Sequence, residues 1–207
     1  MRDVLRYGLL IGLLVVGACA DSTDPDDDDD DNVDGSELTF VSLESGVNVP
    51  TRDTSFVVTA GEEFQLELFT DPAGDDDNGE EFFEFELEEE SLLRRPDGTL
   101  FQPGDTITIT VTVPGNEYVF LFEPSGLVFN PSRPAEMKIS YIDADDDFDD
   151  DGDVDDEDVD FEQELSIWRQ NVLNGPWENI GATIHSIESD EIEFDVEHFT
   201  GFALAGN

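Results

Sequence analysis

The stretch Asp147-Phe-Asp-Asp-Asp-Gly-Asp-Val-Asp-Asp-Glu-Asp158 holds the residues of this chain best placed to do chemistry. Asp147, Asp149 and Asp151 are two residues apart, so a backbone that wraps inward can aim all three carboxylates at one point. Gly152 follows them where the chain must turn sharply. In a twelve-residue calcium loop these are positions 1, 3, 5 and 6. Asp153 then falls at position 7, where the backbone carbonyl is the ligand, and Asp158 at position 12. No other register works: starting at Asp145 puts Asp150 at the glycine position, and starting at Asp143 puts Phe148 there. Calcium is a hard cation that takes six to eight oxygens, and without a cation so many carboxylates repel each other. A second reading stays open at this stage. With 54 of 207 residues acidic, the same pattern also arises as a plain solvated loop.

The elements that must hold this loop read as β-strands. Phe64, Leu66 and Leu68 alternate with polar residues, as do Phe83, Phe85 and Leu87. The same period runs through Ile107, Ile109, Val111 and Val113, through Tyr118, Phe120 and Phe122, and through Met137, Ile139 and Tyr141. Beyond the acidic loop come Leu165 to Trp168, Thr183 to Ile187, and Ile192, Phe194 and Val196; Leu38 to Leu43 and Ser55 to Thr59 are weaker strands. An apolar face opposite an acidic or threonine face is the pattern of antiparallel sheets with one side on a core. Turn signals such as Pro96-Asp-Gly, Pro114-Gly-Asn and Pro124-Ser-Gly separate the runs. About ten short strands with no long helical pattern predict an all-β fold, an antiparallel β-sandwich over 36–207. The calcium-type loop is an insertion at 143–164, and Glu157 to Glu164 is expected to form one helical turn, as in half an EF-hand.

Composition narrows the partners. The formal net charge is −46, with a single lysine, Lys138. Nucleic-acid binding needs a basic footprint and is not expected; nor is electrostatic binding to anionic lipid headgroups. Such a charge keeps a chain soluble but makes the folded state repel itself, and salt relieves that. A halophilic source is therefore expected. The hydrophobic fraction of 38%, with 16 phenylalanines, is enough for a real core.

The N-terminus reads as an export address. Arg2 and Arg6 precede an apolar run, Gly8 to Ala18, that is too short to span a bilayer as a stable helix. It ends in Val16-Gly17-Ala18-Cys19, which resembles the lipobox of bacterial lipoproteins. The resemblance implies cleavage before Cys19 and lipidation of its sulfur, so 1–18 is a lipoprotein signal peptide and the membrane is a partner through the lipid anchor. An ordinary secretory signal and a membrane anchor are the alternatives. The implied location is the bacterial cell envelope, at the outer membrane or cell surface. Cys19 is also the sole cysteine, so no intrachain disulfide can form. Residues 19–35 include the acidic run Asp21 to Asp34 and read as a disordered tether.

Two further resemblances follow. Pro96-Asp-Gly-Thr-Leu-Phe, Pro124-Ser-Gly-Leu-Val-Phe-Asn-Pro and Ala135-Glu-Met-Lys-Ile-Ser-Tyr resemble the ZU5-type β-sandwich modules of bacterial surface lipoproteins, and the run from Val196 to Ala205 is similar to their closing segment. Gln102-Pro-Gly-Asp stands where that family has Pro-x-Gly-Ala. This resemblance implies a non-enzymatic scaffold or adhesion module. The acidic loop resembles a dockerin calcium loop, which also carries Asp at position 12. Dockerins hold two such loops and this chain has one, so docking onto a cohesin is not expected.

Other candidates have plainer readings. His198 shares strand parity with Ile192, Phe194 and Val196 and reads as a structural histidine; His185 reads as a surface or edge residue. Neither has metal-ligand spacing. There is no Gly-x-Ser-x-Gly and no glycine-rich loop leading into a helix. Trp168 and Trp177 flank a turn, where exposed rings could stack on sugars, although core packing is the default. The sequence thus points to a membrane-anchored, non-enzymatic surface lipoprotein with a calcium-binding loop and an unidentified protein or carbohydrate partner. The alternative is a carbohydrate-binding or carbohydrate-processing surface protein.

Overall fold

The computed structural model describes residues 32–49, 52–72 and 79–207. Cys19, the signal peptide and most of the expected tether lie outside the described residues. Within them the chain is an antiparallel β-sandwich. The larger sheet has eight strands. Across it, in order, run Asn32–Val33, Trp177–Asn179, Ser166–Gln170, Gly201–Gly206, Val119–Glu123, Thr106–Thr112 and Asp53–Thr59, with Thr39–Phe40 also pairing on Gly201–Gly206. The smaller sheet runs Ile184–Ser186, Glu191–Val196, Ala135–Ser140, Glu81–Leu87 and Phe64–Phe69. Residues 32–33, placed in the tether by the sequence, are an edge strand here, with Val33 packed beside the tryptophans.

The alternating runs put their apolar faces between the sheets. Rings from the smaller sheet meet rings from the larger: Phe83 stacks on Phe120 at 4.6 Å, and Phe85 lies within 6.3 Å of Phe122. Phe122 stacks on Phe199 at 4.6 Å and 15°. Phe82 breaks the alternation, since it and Phe83 are both fully buried. The ladder shifts register at the neighbouring Leu68/Phe69 pair, where two consecutive rings go inside.

The centre of the larger sheet is a strand that alternation does not reveal. Gly201–Gly206 lies between Ser166–Gln170 and Val119–Glu123, and all six of its residues are buried. Both of its faces are covered, so its residues are apolar throughout: Phe202 and Leu204 face the main core, and Ala203 and Ala205 the smaller cluster. A Cβ at Gly201 would sit 3.1 Å from Leu121 and 3.2 Å from Gln170, and at Gly206 it would overlap the Phe161 ring.

The outer face of the smaller sheet stacks carboxylates. Glu136 lies directly opposite Glu86 on one side and Asp195 on the other. Partial burial, together with the neighbouring carboxylates, pushes both Glu86 and Glu136 above the usual glutamate range. Lys138 relieves the next rung, bonding Glu81 at 2.6 Å and Glu84 at 2.8 Å. A carboxyl raised in the folded state destabilises above its folded pKa, and that cost disappears as pH falls through it. Glu136→Gln is therefore expected to stabilise the fold at neutral pH and low salt by about 0.2–1 kcal/mol, the size of a directly opposed like-charge pair. Thermal melts at pH 7 in low and in molar NaCl check this, because the gain should fade with screening.

Candidate metal site

The acidic loop connects the two sheets, from Ala135–Ser140 to Ser166–Gln170. Its lead-in is pinned by the backbone: Ala144 N–H donates to Tyr141 O at 2.8 Å, and Asp145 N–H donates to Ser42 O at 2.8 Å. Phe148 packs against the main core and stands edge-on to Tyr141, with centroids 6.3 Å apart. The loop is thus anchored by one ring at its second position, with half-buried Asp147 and Asp149 on either side of it.

The wrap follows from the aspartates' habit of accepting hydrogen bonds from amides a few residues on. The Asp147 carboxylate accepts from Asp151 N–H at 3.1 Å and from Gly152 N–H at 3.0 Å. Asp149 accepts from Asp151 N–H at 3.1 Å, and Asp151 from Asp153 N–H at 3.0 Å. Gly152 has φ +97°, a left-handed conformation that L side chains rarely adopt, and a Cβ there would touch nothing within 4 Å. Backbone conformation, not crowding, demands the glycine. Asp150, at φ 58°, uses the tolerance of aspartate for the same region.

As a result, one carboxylate oxygen from each of Asp147, Asp149 and Asp151 lies within 4.8 Å of the others. Partial burial raises the pKa of the Asp149 carboxyl, and the charges of Asp151, Asp158 and Asp147 add to it. Asp153 is exposed and Val154 is 65% exposed, so the aliphatic at loop position 8 does not pack.

Asp158 is used differently. It is 3% exposed, and its Oδ1 accepts from Phe148 N–H at 2.7 Å and Asp149 N–H at 3.3 Å. Its Oδ2 accepts from Asp155 N–H at 2.8 Å. With Asp155 it forms a capping box at the start of the helix Asp156–Glu164. It is not one of the three converging carboxylates; it staples the start of the loop to the helix that leaves it. Those N–H donors hold its carboxyl below the usual aspartate range. The stability it contributes is present above the unfolded aspartate value of about 3.9 and is lost as pH falls through the depressed folded value. Asp158→Ala is expected to speed amide exchange at Phe148, Asp149 and Asp155 by roughly two- to thirtyfold, the range a lost helix cap implies. Exchange measured by NMR or mass spectrometry reads this directly.

The helix is nine residues long, two turns more or less where a single turn is expected from the sequence. Its Phe161 ring lies against Gly206, and Leu165 just beyond its end is buried. Glu162 accepts a hydrogen bond from Tyr141 Oη at 3.2 Å, and Tyr141 Oη also bonds His185 Nε2 at 3.0 Å. Burial holds His185 below the ordinary histidine range and, with the Arg169 charge added, does the same to His198. Sequence reasoning missed this anchoring, although Asp158, Phe161 and Leu165 carry the signal: a spacing of three and four residues on one helix face.

The three converging carboxylates form an oxygen-only donor set. Such a set suits a hard divalent cation, calcium, magnesium or manganese, rather than a soft one. Asp158 Oδ2 accepts one N–H only and keeps a lone pair for a cation. Trp168 and Trp177 are 5% and 6% exposed, and Trp168 Nε1 donates to Ala205 O, so neither offers a ring to a sugar. No family model, curated protein or solved structure matches the chain.

Proposed function

We propose that this chain is an exported, lipid-anchored surface module, non-enzymatic, whose loop from Asp147 to Asp158 binds calcium. In this reading Asp147, Asp149 and Asp151 supply carboxylate oxygens and Asp153 its carbonyl. Asp158 holds the loop closed and, on binding, lends an oxygen. The cation neutralises three converging charges and stiffens a connection that crosses between the sheets and carries the docked helix. Cys19 carries the lipid, and the acidic segment after it keeps the domain off the membrane. The β-sandwich, ZU5-like in its Pro-rich turns, serves as a structural or interaction module for a protein or carbohydrate partner.

The convergence of the Asp147, Asp149 and Asp151 oxygens within 4.8 Å supports this most directly. The hydrogen bonds from the loop amides offset the repulsion between these carboxylates, and a divalent cation would offset it further. Calcium titration calorimetry on the full chain tests it, with magnesium and matched NaCl as controls. Binding heat for calcium at near-unit stoichiometry is the expected result; heats no larger than those of NaCl at equal ionic strength would end the proposal.

A further inference from the structure

Residues 32–40 cross the outer face of the larger sheet and cover a second, smaller core. Val33, Leu38 and Phe40 lie with Trp168, Trp177 and Ala205 in a cluster separate from the main one between the sheets. Phe40 meets Trp177 edge-on at 5.5 Å. The fastenings are small: two residues of strand at Asn32–Val33 and two at Thr39–Phe40. The next residues are held far more firmly. Val41 and Leu43 are buried in the main core, and Val41 hydrogen bonds to both Leu204 and Tyr118. The boundary between loose and fixed chain therefore falls at Phe40/Val41.

Charge works against the fastenings. The strap carries Asp34 and Glu37, both exposed, and follows directly on the aspartate run that ends at Asp31. Asn32 pairs opposite Glu178, whose charge Arg169 balances at 2.7 Å, so the repulsion falls on Asp34, Glu37 and the acids below. The segment from Leu38 to Ser42 also borders a cavity of about 260 Å³ whose other walls include Glu117, Asp145, Asp147 and Asp150. Exposed like charges at such separations repel across about 30 Å at 0.01 M salt but only about 3 Å at 1 M.

We propose that residues 32–40 form a detachable strap over the tryptophan face of the larger sheet, closed when cations screen the acids around it and open when they do not. Opening bares Trp168 and Trp177 while the sandwich core stays shut, and turns nine fixed residues into free chain. The inference rests on the fold and its charges; calcium at Asp147 would add to the screening, and the NaCl titration without calcium tests the strap by itself.

The chain's two tryptophans both lie under the strap, so they report on it alone. Tryptophan emission and acrylamide quenching of the full chain, from 10 mM to 1 M NaCl, are compared with far-UV circular dichroism and with amide exchange in 201–206. The expected result is red-shifted, several-fold more quenchable emission at low salt, with the β signal and the exchange protection of 201–206 intact. Glu117→Gln with Asp150→Asn should move the closing midpoint to lower salt, and Leu38→Asp should hold the strap open at every salt concentration. The proposal is overturned by a tryptophan environment that is constant through the range, or that changes only together with the β signal. It is equally overturned if the double variant leaves the midpoint unmoved, or if Leu38→Asp unfolds the sheets along with the strap.

Discussion

Calcium at a hundredfold excess over its Kd is expected to raise the melting temperature of this chain by about 5–10 °C, and Asp147→Ala with Asp151→Ala to abolish that rise. The size follows from mass action on a site present only in the folded state. The assignment to these residues follows from geometry. Asp147 and Asp151 are the outer two of three converging carboxylates, and together they accept from the amides of Asp151, Gly152 and Asp153. Removing both leaves Asp149 as the sole member of the converging trio, too few carboxylate oxygens for a cation that takes six to eight. The apo variant should lose little stability, because two repelling charges go with the side chains. Asp153→Ala is the sharper control. If its carbonyl is the ligand, that substitution keeps the calcium-induced shift, whereas a plain acidic loop treats all three sites alike. Differential scanning fluorimetry with CaCl₂, MgCl₂ and NaCl at equal ionic strength separates these outcomes; an equal response to all three salts would sink the assignment.

Phe85→Ala is expected to cost about 3–5 kcal/mol, the range for emptying an aromatic side chain from a core. The ring is fully buried and lies 5.6 to 6.3 Å from Phe56, Phe122, Phe129 and Phe199. It projects from the smaller sheet onto rings of the larger sheet and of the segments beside it, so no single strand can move to fill the gap without breaking a ladder. At about 2–4 °C per kcal/mol, the melting temperature should fall by about 6–20 °C. Phe69→Ser is the matched control: Phe69 is 43% exposed at the end of an edge strand, and its loss should stay within about 0.5 kcal/mol. Urea unfolding of the two variants decides between them, and similar costs at both positions would contradict the core as described.

Much of this architecture was legible in residue order. A strand with one wet face must alternate, so Ile107 to Val113 and Ile192 to Val196 announce both their conformation and their buried sides. The turn at Gly152 was legible because few other residues tolerate its φ, and a helical turn after the loop was legible from the EF-hand spacing, whereas the capping box of Asp155 and Asp158 was not. Strand parity failed where both faces are covered. Gly201–Gly206 lacks alternation because neighbours press on it from each side, and Phe82 lies inside because the ladder slips beside it.

What the linear order of residues determined by itself is local: which segments extend, which side of each is apolar, and where aspartates two apart must curl the chain around a point. Those properties depend on backbone geometry and near neighbours. Tertiary structure decided what those segments meet. It set Phe161 on Gly206, joined Tyr141 to both Glu162 and His185, drew Asp158 to the amides at the loop's start, and laid residues 32–40 over both tryptophans. Contacts between residues far apart in the chain depend on which strands pair and in what order. That choice is made by burial of the whole core at once, and no single stretch of sequence carries it.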